Sequence, residues 1–301
     1  MMAAKTATAK ARVPKQRADV IPGDRAIVAS PSAWLTWFAM AVFIILLLGV
    51  LSTVIVDSFG KQWFANWLPQ EWTTSWYGRG WSRFNLGHVI STTVIVAVIV
   101  VALSIIIGAP AAYLLARKNF PGKKMLNLLF LLPVIIPPIT FGIPLATLMY
   151  SWGLGRSVVA VILVNLVPSV PFVILTMTPF IEQINPTIES AARMCGAGIL
   201  RVFTKVLAPL LVPGILAASV LVLVRTVGMF ELTFLVSGPQ SDTLVVSIYR
   251  AMTSAGGSEP RQLVSSMAVL YTATMLIILI IALRFVNPTQ LVARVKDTPD
   301  D

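Results

Sequence analysis

The sequence predicts an all-α, polytopic membrane protein with six core transmembrane helices. Of its 301 residues, 57% are hydrophobic and only 12% are charged, whereas a soluble domain carries roughly a quarter charged residues. The chain also contains six uncharged apolar windows, at residues 34–56, 89–116, 125–151, 157–180, 206–224 and 263–283. Because roughly 20 helical residues cross a hydrocarbon core about 30 Å thick, each window reaches or nearly reaches the length of a membrane span.

The first window, residues 34–56, is interpreted as the first transmembrane helix and not as a cleaved signal peptide. It follows 33 mostly polar and basic residues and is longer than the apolar region of a signal peptide. Residues 1–33 are therefore expected to form a solvated cytoplasmic arm. The net charge of +11 does not require a nucleic-acid partner, because membrane topology accounts for where the charges lie.

The distribution of lysine and arginine predicts the topology. With the N-terminus inside, the inner segments hold 16 of these residues and the outer segments hold 6. Cytoplasmic loops carry an excess of Lys and Arg, so both termini are assigned to the cytoplasm. Residues 287–301 then form a cytoplasmic tail.

Tryptophans are concentrated in the predicted external loop, residues 57–88. The loop contains Trp63, Trp67, Trp72, Trp76 and Trp81. Such rings favour the membrane–water interface, so an interfacial cover is favoured over a platform on which carbohydrate stacks.

Prolines interrupt the third, fourth and fifth spans. The interrupting residues are Pro133, Pro137, Pro138, Gly142, Pro144, Pro168, Pro171, Pro179, Pro209 and Pro213. An interior proline removes a helical hydrogen bond and kinks the helix, and such backbone is tolerated where it packs on protein or lines a cavity. The pattern fits a translocation path, although kinked helices occur in membrane proteins of every kind.

A polar, basic segment separates the fourth and fifth spans. Asn185 and Pro186 have the residue types of a helix N-cap and first position, and Glu189 follows in or near the first turn. An apolar stripe at helical spacing contains Ile188, Ala191, Ala192, Cys195, Ile199, Val202, Phe203 and Val206. Gly196-Ala197-Gly198 interrupts it, which predicts two short helices that meet at a bend and dock into a partner's groove.

This segment resembles the cytoplasmic coupling motif of permease subunits from binding-protein-dependent ABC importers. The matching residues are the pair Ala191-Ala192, then Gly196, Ala197, Val206 and Pro209, which ends the motif. The motif's acidic position falls on Ser190, with Glu189 one residue early, and Ala208 replaces the leucine before the proline. Which of Glu189 and Ser190 meets the partner is left open.

The resemblance implies a type I (MetI-like) permease of the bacterial cytoplasmic (inner) membrane, with its core at residues 89–286 and its coupling segment at 182–205. The implied partners are two ATP-binding subunits, a second permease subunit (related or identical), a periplasmic or lipid-anchored binding protein and the surrounding lipid. The residues expected to couple to the ATPase are Glu189, Ser190, Ala191, Ala192, Arg193, Gly196, Ala197 and Arg201. Arg193, Arg201 and Lys205 would pair with acidic groups on the ATPase. The alternative is that the segment only anchors a loop to lipid headgroups.

The chain is not expected to be an enzyme. It contains no G-x-x-x-x-G-K-[ST] phosphate-binding loop, so ATP and Mg are expected on the partner ATPase. No cluster has metal-ligand spacing and no nucleophile has an evident base, so neither a metal nor a cofactor is assigned to this chain.

Four residues are candidates for the solute path: Tyr150, Asn165, Arg225 and Glu231. Arg225 and Glu231 are expected at the outer end of the fifth helix, where they either pair or leave Glu231 to attract a cationic solute. Residues 229–249 resemble permeases for polyamines, ferric ion, phosphonates and opines, which supports a small polar solute. The competing interpretation is a secondary transporter or channel without an ATPase, but the chain has no evident internal repeat.

Overall fold

The computed structural model describes residues 31–63, 66–253 and 259–284. The predicted arm (1–33) lies outside the described residues apart from its last three positions, and the predicted tail (287–301) lies wholly outside them. The chain divides into two compact units, residues 1–52 and 53–301. Helix α1 (Pro31–Phe59) contains the predicted first span, and its last residues belong to the second unit.

The described residues of the segment predicted as an external loop, 57–63 and 66–88, carry secondary structure. After α1 they form β1 (Gly60–Gln62), β2 (Glu71–Trp72) and α2 (Ser75–Arg83), and the two strands pair antiparallel. Trp76 is buried and its Nε1 donates to the Gly60 carbonyl at 2.8 Å, whereas Trp67 is 98% exposed. The segment between the first two spans thus contains short elements anchored by Trp76, and its external position stays a prediction.

Helices make up the remainder of the described chain. They are α3 (Leu86–Arg117), α4 (Lys123–Ile135), α5 (Pro138–Ser151), α6 (Val158–Glu182), α7 (Pro186–Met194), α8 (Ile199–Arg201), a π-helical turn (Val202–Leu207), α9 (Ala208–Val227), α10 (Glu231–Val236), α11 (Leu244–Met252) and α12 (Arg261–Arg284). Five helices of the described chain are long and apolar enough to cross a membrane, and α4 with α5 makes a sixth span if the bent pair is one. This agrees with the six predicted spans.

The third predicted span, residues 125–151, is broken and not merely kinked. Helices α4 and α5 meet at an angle of 95°. Pro137 and Pro138 stand at the junction, and neither can donate a backbone hydrogen bond to the preceding turn, so the helix ends there. The span is interrupted as predicted, but by a break between two helices and not by a kink within one helix.

Helices α3, α6 and α9 pack against one another and form the main core. Glycines allow the closest approaches: a Cβ added at Gly108 of α3 would lie 2.7 Å from Val173 of α6, and one at Gly214 of α9 would lie 2.8 Å from Phe180. Small residues bring membrane helices together in this way. The core is therefore built on contacts that leave no room for a larger side chain.

Replacing Gly108 with valine is expected to destabilise the bundle by about 1–3 kcal/mol, because the added methyl groups overlap Val173. The measurement is the melting temperature of the detergent-solubilised protein, followed by size-exclusion chromatography. Gly78→Ala is the matched control, since a Cβ at Gly78 meets nothing within 4 Å. Equal melting temperatures for the two variants would contradict this packing.

Candidate functional site

Helix α7 begins as its sequence predicts. The Oδ1 of Asn185 accepts a hydrogen bond from the Thr187 amide at 2.9 Å, and Pro186 occupies the first helical position. The side chain satisfies one of the amides that a helix start leaves unpaired. The coupling segment thus has a fixed starting point directly after α6.

Gly196 ends α7 in a Schellman motif. The Gly196 amide donates to the Arg193 carbonyl at 2.9 Å and the Ala197 amide donates to the Ala192 carbonyl at 3.1 Å. The motif requires a left-handed residue, and Gly196 has a φ of +81°. This conformation, and not close packing, explains the glycine, because a Cβ there would meet nothing within 4 Å.

Glu189 lies in a buried network that joins α7 to the end of α3. Its carboxylate accepts hydrogen bonds from Arg117 Nε and from Tyr113 Oη, both at 2.7 Å. Arg117 also donates to the carbonyl of Ile184, and Arg193 lies 3.5 Å from Tyr113 Oη. Glu189 is only 6% exposed, so its charge is used inside this chain.

The predicted apolar stripe is divided between two surfaces. Val202 is buried, while Ile188 and Ile199 are exposed, with Ile199 59% exposed. The stripe is divided because α8, the π-helical turn and α9 continue as one helix, residues 199–227, which buries its own inner side. The second of the two predicted short helices is therefore the beginning of the fifth span.

A shallow, wide-open depression of about 580 Å³ lies on the surface beside Gly196. It is lined by Gly196, Gly198, Ile199, Leu200, Arg201, Thr204 and Lys205. Ser190, Ala191, Arg193 and Arg201 are exposed on the same segment, and Ala192 and Ala197 are partly buried. The segment therefore offers an apolar, basic and concave surface, which can receive a protruding element that carries acidic groups.

Residues 104–291 match the family described as "Binding-protein-dependent transport system inner membrane component". The chain belongs to this family. It is therefore a multi-pass permease of the inner membrane, and the match contains the second part of α3, all of α6 and α9, and the coupling segment.

Curated relatives of this permease serve different systems. The diacetylchitobiose uptake permease NgcG of Streptomyces coelicolor is 29% identical over 51% of this chain and 51% of its own length. The molybdenum permease ModB of Haemophilus influenzae is 32% identical over 49% of this chain and 72% of its own. The trehalose permease SugB of Mycobacterium tuberculosis is 29% identical over 62% and 68%. The alignment with NgcG thus spans about half of that relative.

Solved structures show the same fold. A chain of a bacterial ABC transporter that imports the acidic polysaccharide alginate has a TM-score of 0.68 at 19% identity, covering 85% of this chain and 98% of that one. A chain of the MetNI methionine ABC transporter, in an inward-facing conformation, has a TM-score of 0.53 at 19% identity and covers 65% and 92%. ABC importer permeases thus share this permease's all-α architecture.

Two of the predicted path residues lie in different environments. Tyr150 is 49% exposed at the end of α5, whereas Asn165 is 1% exposed. The Asn165 amide nitrogen donates to the Val161 carbonyl at 2.8 Å and to Thr233 Oγ1 at 3.3 Å. Asn165 therefore joins α6 to α10, and only Tyr150 of the two is available to a solute.

Arg225 lies in the last turn of α9, and Glu231 is the first residue of α10. The Arg225 guanidinium is 5.4 Å from the centre of the Phe172 ring, near the middle of α6. Helix α9 ends at Val227, and α10 then returns toward the loop before α6, where Val236 accepts from the Arg156 amide. Arg225 thus stands in the last turn of the helix of the fifth span, as the sequence predicts, and that this end is the outer one stays a prediction.

The two charges do not form the ion pair that the sequence left open. Within the described residues, neither Glu231 nor Arg225 has an ion-pair partner, and the Arg225 guanidinium lies over the Phe172 ring. Both side chains are partly buried. A charged group in a membrane interior is stable only beside water, a counter-charge or a ligand, so both remain candidates for the solute path.

Sequence reasoning missed Arg117 and Tyr113. They are separated from Glu189 by 72 and 76 positions, so no local motif joins them. Arg117 was counted only as a basic residue of an inner loop. No cluster of three or more metal-ligating side chains occurs in the searched, described part of the chain.

Proposed function

We propose that this permease is the transmembrane subunit of an ATP-driven importer, forms its solute path, and couples to a separate ATPase through residues 185–209. The observation that carries the proposal is the concave, exposed surface beside Gly196, joined to the membrane core on both sides. Ser190, Ala191, Ala192, Arg193, Gly196, Ala197 and Arg201 are assigned to ATPase contact.

Two connections would transmit movement from that surface into the membrane. Through α7, the buried Glu189–Arg117 ion pair at 2.7 Å reaches α3. Through α8, the helix continues past Pro209 into α9. Because α3 and α9 both pack on α6, a push on the coupling surface would displace the three core helices together.

Glu189 and Ser190 then have different roles. Glu189 positions α7 on α3, since its carboxylate already has two donors. Ser190 is exposed and contacts only the Pro186 carbonyl, at 3.3 Å, so it is the residue available to the ATPase. Pro209 has a structural role at the base of α9.

The proposed assembly contains two ATP-binding subunits that hold ATP and Mg, a second permease subunit and a binding protein that delivers the solute. The excess of Lys and Arg on the coupling side supports a cytoplasmic position for that side and for both termini. The opposite end, with the loop 152–157 and residues 237–243, would face the binding protein.

The proposed cargo is a small polar solute, and Tyr150, Arg225 and Glu231 are assigned to its path. The resemblance leaves polyamines, ferric ion, phosphonates and opines as candidate classes. The curated relatives carry names for sugars, molybdenum and sulfate, so membership of the family alone does not select among chemical classes.

The test is a detergent pull-down of the tagged chain from native membranes, with every co-purifying chain identified. An ATP-binding subunit that is recovered with wild type and lost with Ser190→Arg is the expected result. Recovery of this chain alone, from membranes in which it still supports uptake, would contradict the proposal and favour a secondary transporter.

A further inference from the structure

A pocket of about 330 Å³ lies at the end of the bundle opposite the coupling surface. It is lined by Tyr150, Arg156, Phe234, Ser237, Gly238, Pro239 and Arg250. These residues come from the end of α5, the loop before α6, α10 with the loop that follows it, and α11. The volume is at the small end of the range for ligand sites in proteins.

The pocket wall is tightly built. A Cβ added at Gly155 would lie 2.2 Å from the Tyr150 ring, and one at Gly238 would lie 2.9 Å from the Arg156 Cβ. The Arg156 amide donates to the Val236 carbonyl at 2.8 Å. Arg156 also has a φ of 63°, a conformation that non-glycine residues rarely adopt and that is often found at functional sites.

The charge of the pocket is positive. Arg250 Nε lies 2.8 Å from the Asp242 carboxylate, and its guanidinium lies 5.6 Å from the centre of the Phe234 ring. Asp242 also accepts from Ser237 Oγ at 2.8 Å. Within the described residues, Arg156 has neither a carboxylate nor a ring as partner. The positive charge of its guanidinium is therefore not balanced by a neighbouring group.

Arg156 differs in this from the other basic side chains at that end of the bundle. Lys61, Arg83 and Arg261 each have a carboxylate partner, and Arg79 lies 4.6 Å from the centre of the Trp76 ring. A guanidinium presents a planar set of donors that matches carboxylate, phosphonate and other oxyanions. Among the described residues at this end, the exposed Arg156 is thus a cation without a carboxylate partner that can bind an anion.

We infer that this pocket is an entry site for a small anionic solute whose carboxylate, phosphonate or oxyanion group is bound by Arg156, with Arg250 beside it. The inference rests on the proposed import function and refines its substrate class. A polyamine or a ferric ion would be repelled by the Arg156 guanidinium, since the charge of Arg250 is balanced by Asp242. Tyr150 and Phe234 would contact the uncharged part of the solute.

The first test measures the binding of methylphosphonate to the purified full chain in phospholipid-free dodecylmaltoside. Binding is detected as broadening of the ³¹P line of the methylphosphonate. Arg156→Gln is expected to weaken binding at least tenfold, and Arg156→Lys to weaken it less. Arg79→Gln is the matched control and should bind as wild type does. Sulfate should displace the probe, whereas putrescine at equal ionic strength should not.

The opposite results would overturn the inference. Equal binding by wild type and Arg156→Gln, or equal losses in Arg156→Gln and Arg79→Gln, would remove the specific role of the pocket. Repeating the titration in phosphatidylcholine and phosphatidylglycerol nanodiscs separates solute from lipid. If the affinity for methylphosphonate is retained in the nanodiscs, the pocket is a solute site. If that affinity is abolished, Arg156 binds lipid phosphates instead. The binding titration contains no ATPase. Its failure would therefore overturn the anion site without contradicting the proposed import function.

Discussion

Gly196→Arg is expected to abolish ATP-driven uptake while the protein still inserts into the membrane. An arginine at a φ of +81° is disfavoured by about 1–2 kcal/mol, and its side chain would project into the surface assigned to the ATPase. The measurements are solute uptake by cells that depend on this importer, the amount of protein in the membrane fraction, and co-purification of the ATPase.

Gly196→Arg combines backbone strain with an added side chain on the coupling surface, and Gly198 provides a control that separates these two effects. It has a Cβ environment as open as that of Gly196 but a φ of −68°, which any residue adopts. Gly196→Ala should therefore impair uptake severalfold, and Gly198→Ala should leave it near wild type. Wild-type uptake with Gly196→Arg would remove the coupling assignment.

Much of the bundle and one end of the coupling segment could be predicted because their signals are local. Six apolar windows predicted the spans, and the Asn185-Pro186 pair predicted the start of α7. Gly196 was correctly placed at the end of a helix, since a helix interrupted by glycine breaks locally. Each of these features depends on residues a few positions apart.

The features that sequence reasoning missed depend on contacts between distant segments. No local pattern indicates that Glu189 pairs with Arg117, because the two residues meet only when α3 and α6 pack. The contact of Arg225 with the Phe172 ring was missed for a similar reason, because α6 and α9 are distant in the sequence and meet only in the folded bundle. The burial of Trp76 likewise depends on distant residues, since it packs in a cluster with Leu244 and Met267 that composition alone does not indicate.

The second large effect is expected from breaking the ion pair between Glu189 and Arg117. Glu189→Gln removes the counter-charge of a buried guanidinium, which costs on the order of 3 kcal/mol when one partner of such a pair is lost. Helix α7 would then be less firmly held on α3. Transport driven by ATP is expected to fall at least tenfold, while the exposed face around Ser190 keeps its chemistry.

The decisive measurement compares ATPase co-purification with transport per ATP hydrolysed in reconstituted vesicles. If Glu189 positions α7, Glu189→Gln should retain the ATPase but hydrolyse ATP with little transport. If Glu189 instead contacts the ATPase, the subunit should be lost in the pull-down, as expected for Ser190→Arg. Glu182→Gln makes the same chemical change at an exposed position of α6 and should behave as wild type.

A double-mutant cycle tests the pair itself. Arg117→Gln alone should reproduce the uncoupled behaviour, because it leaves the Glu189 carboxylate buried with only Tyr113 as donor. The double variant Arg117→Gln with Glu189→Gln should be less impaired than the sum of the single changes, since neither charge then remains unpaired. Strictly additive losses would mean that the two residues act separately, and the coupling surface would then have to move the bundle through α8 and α9 alone.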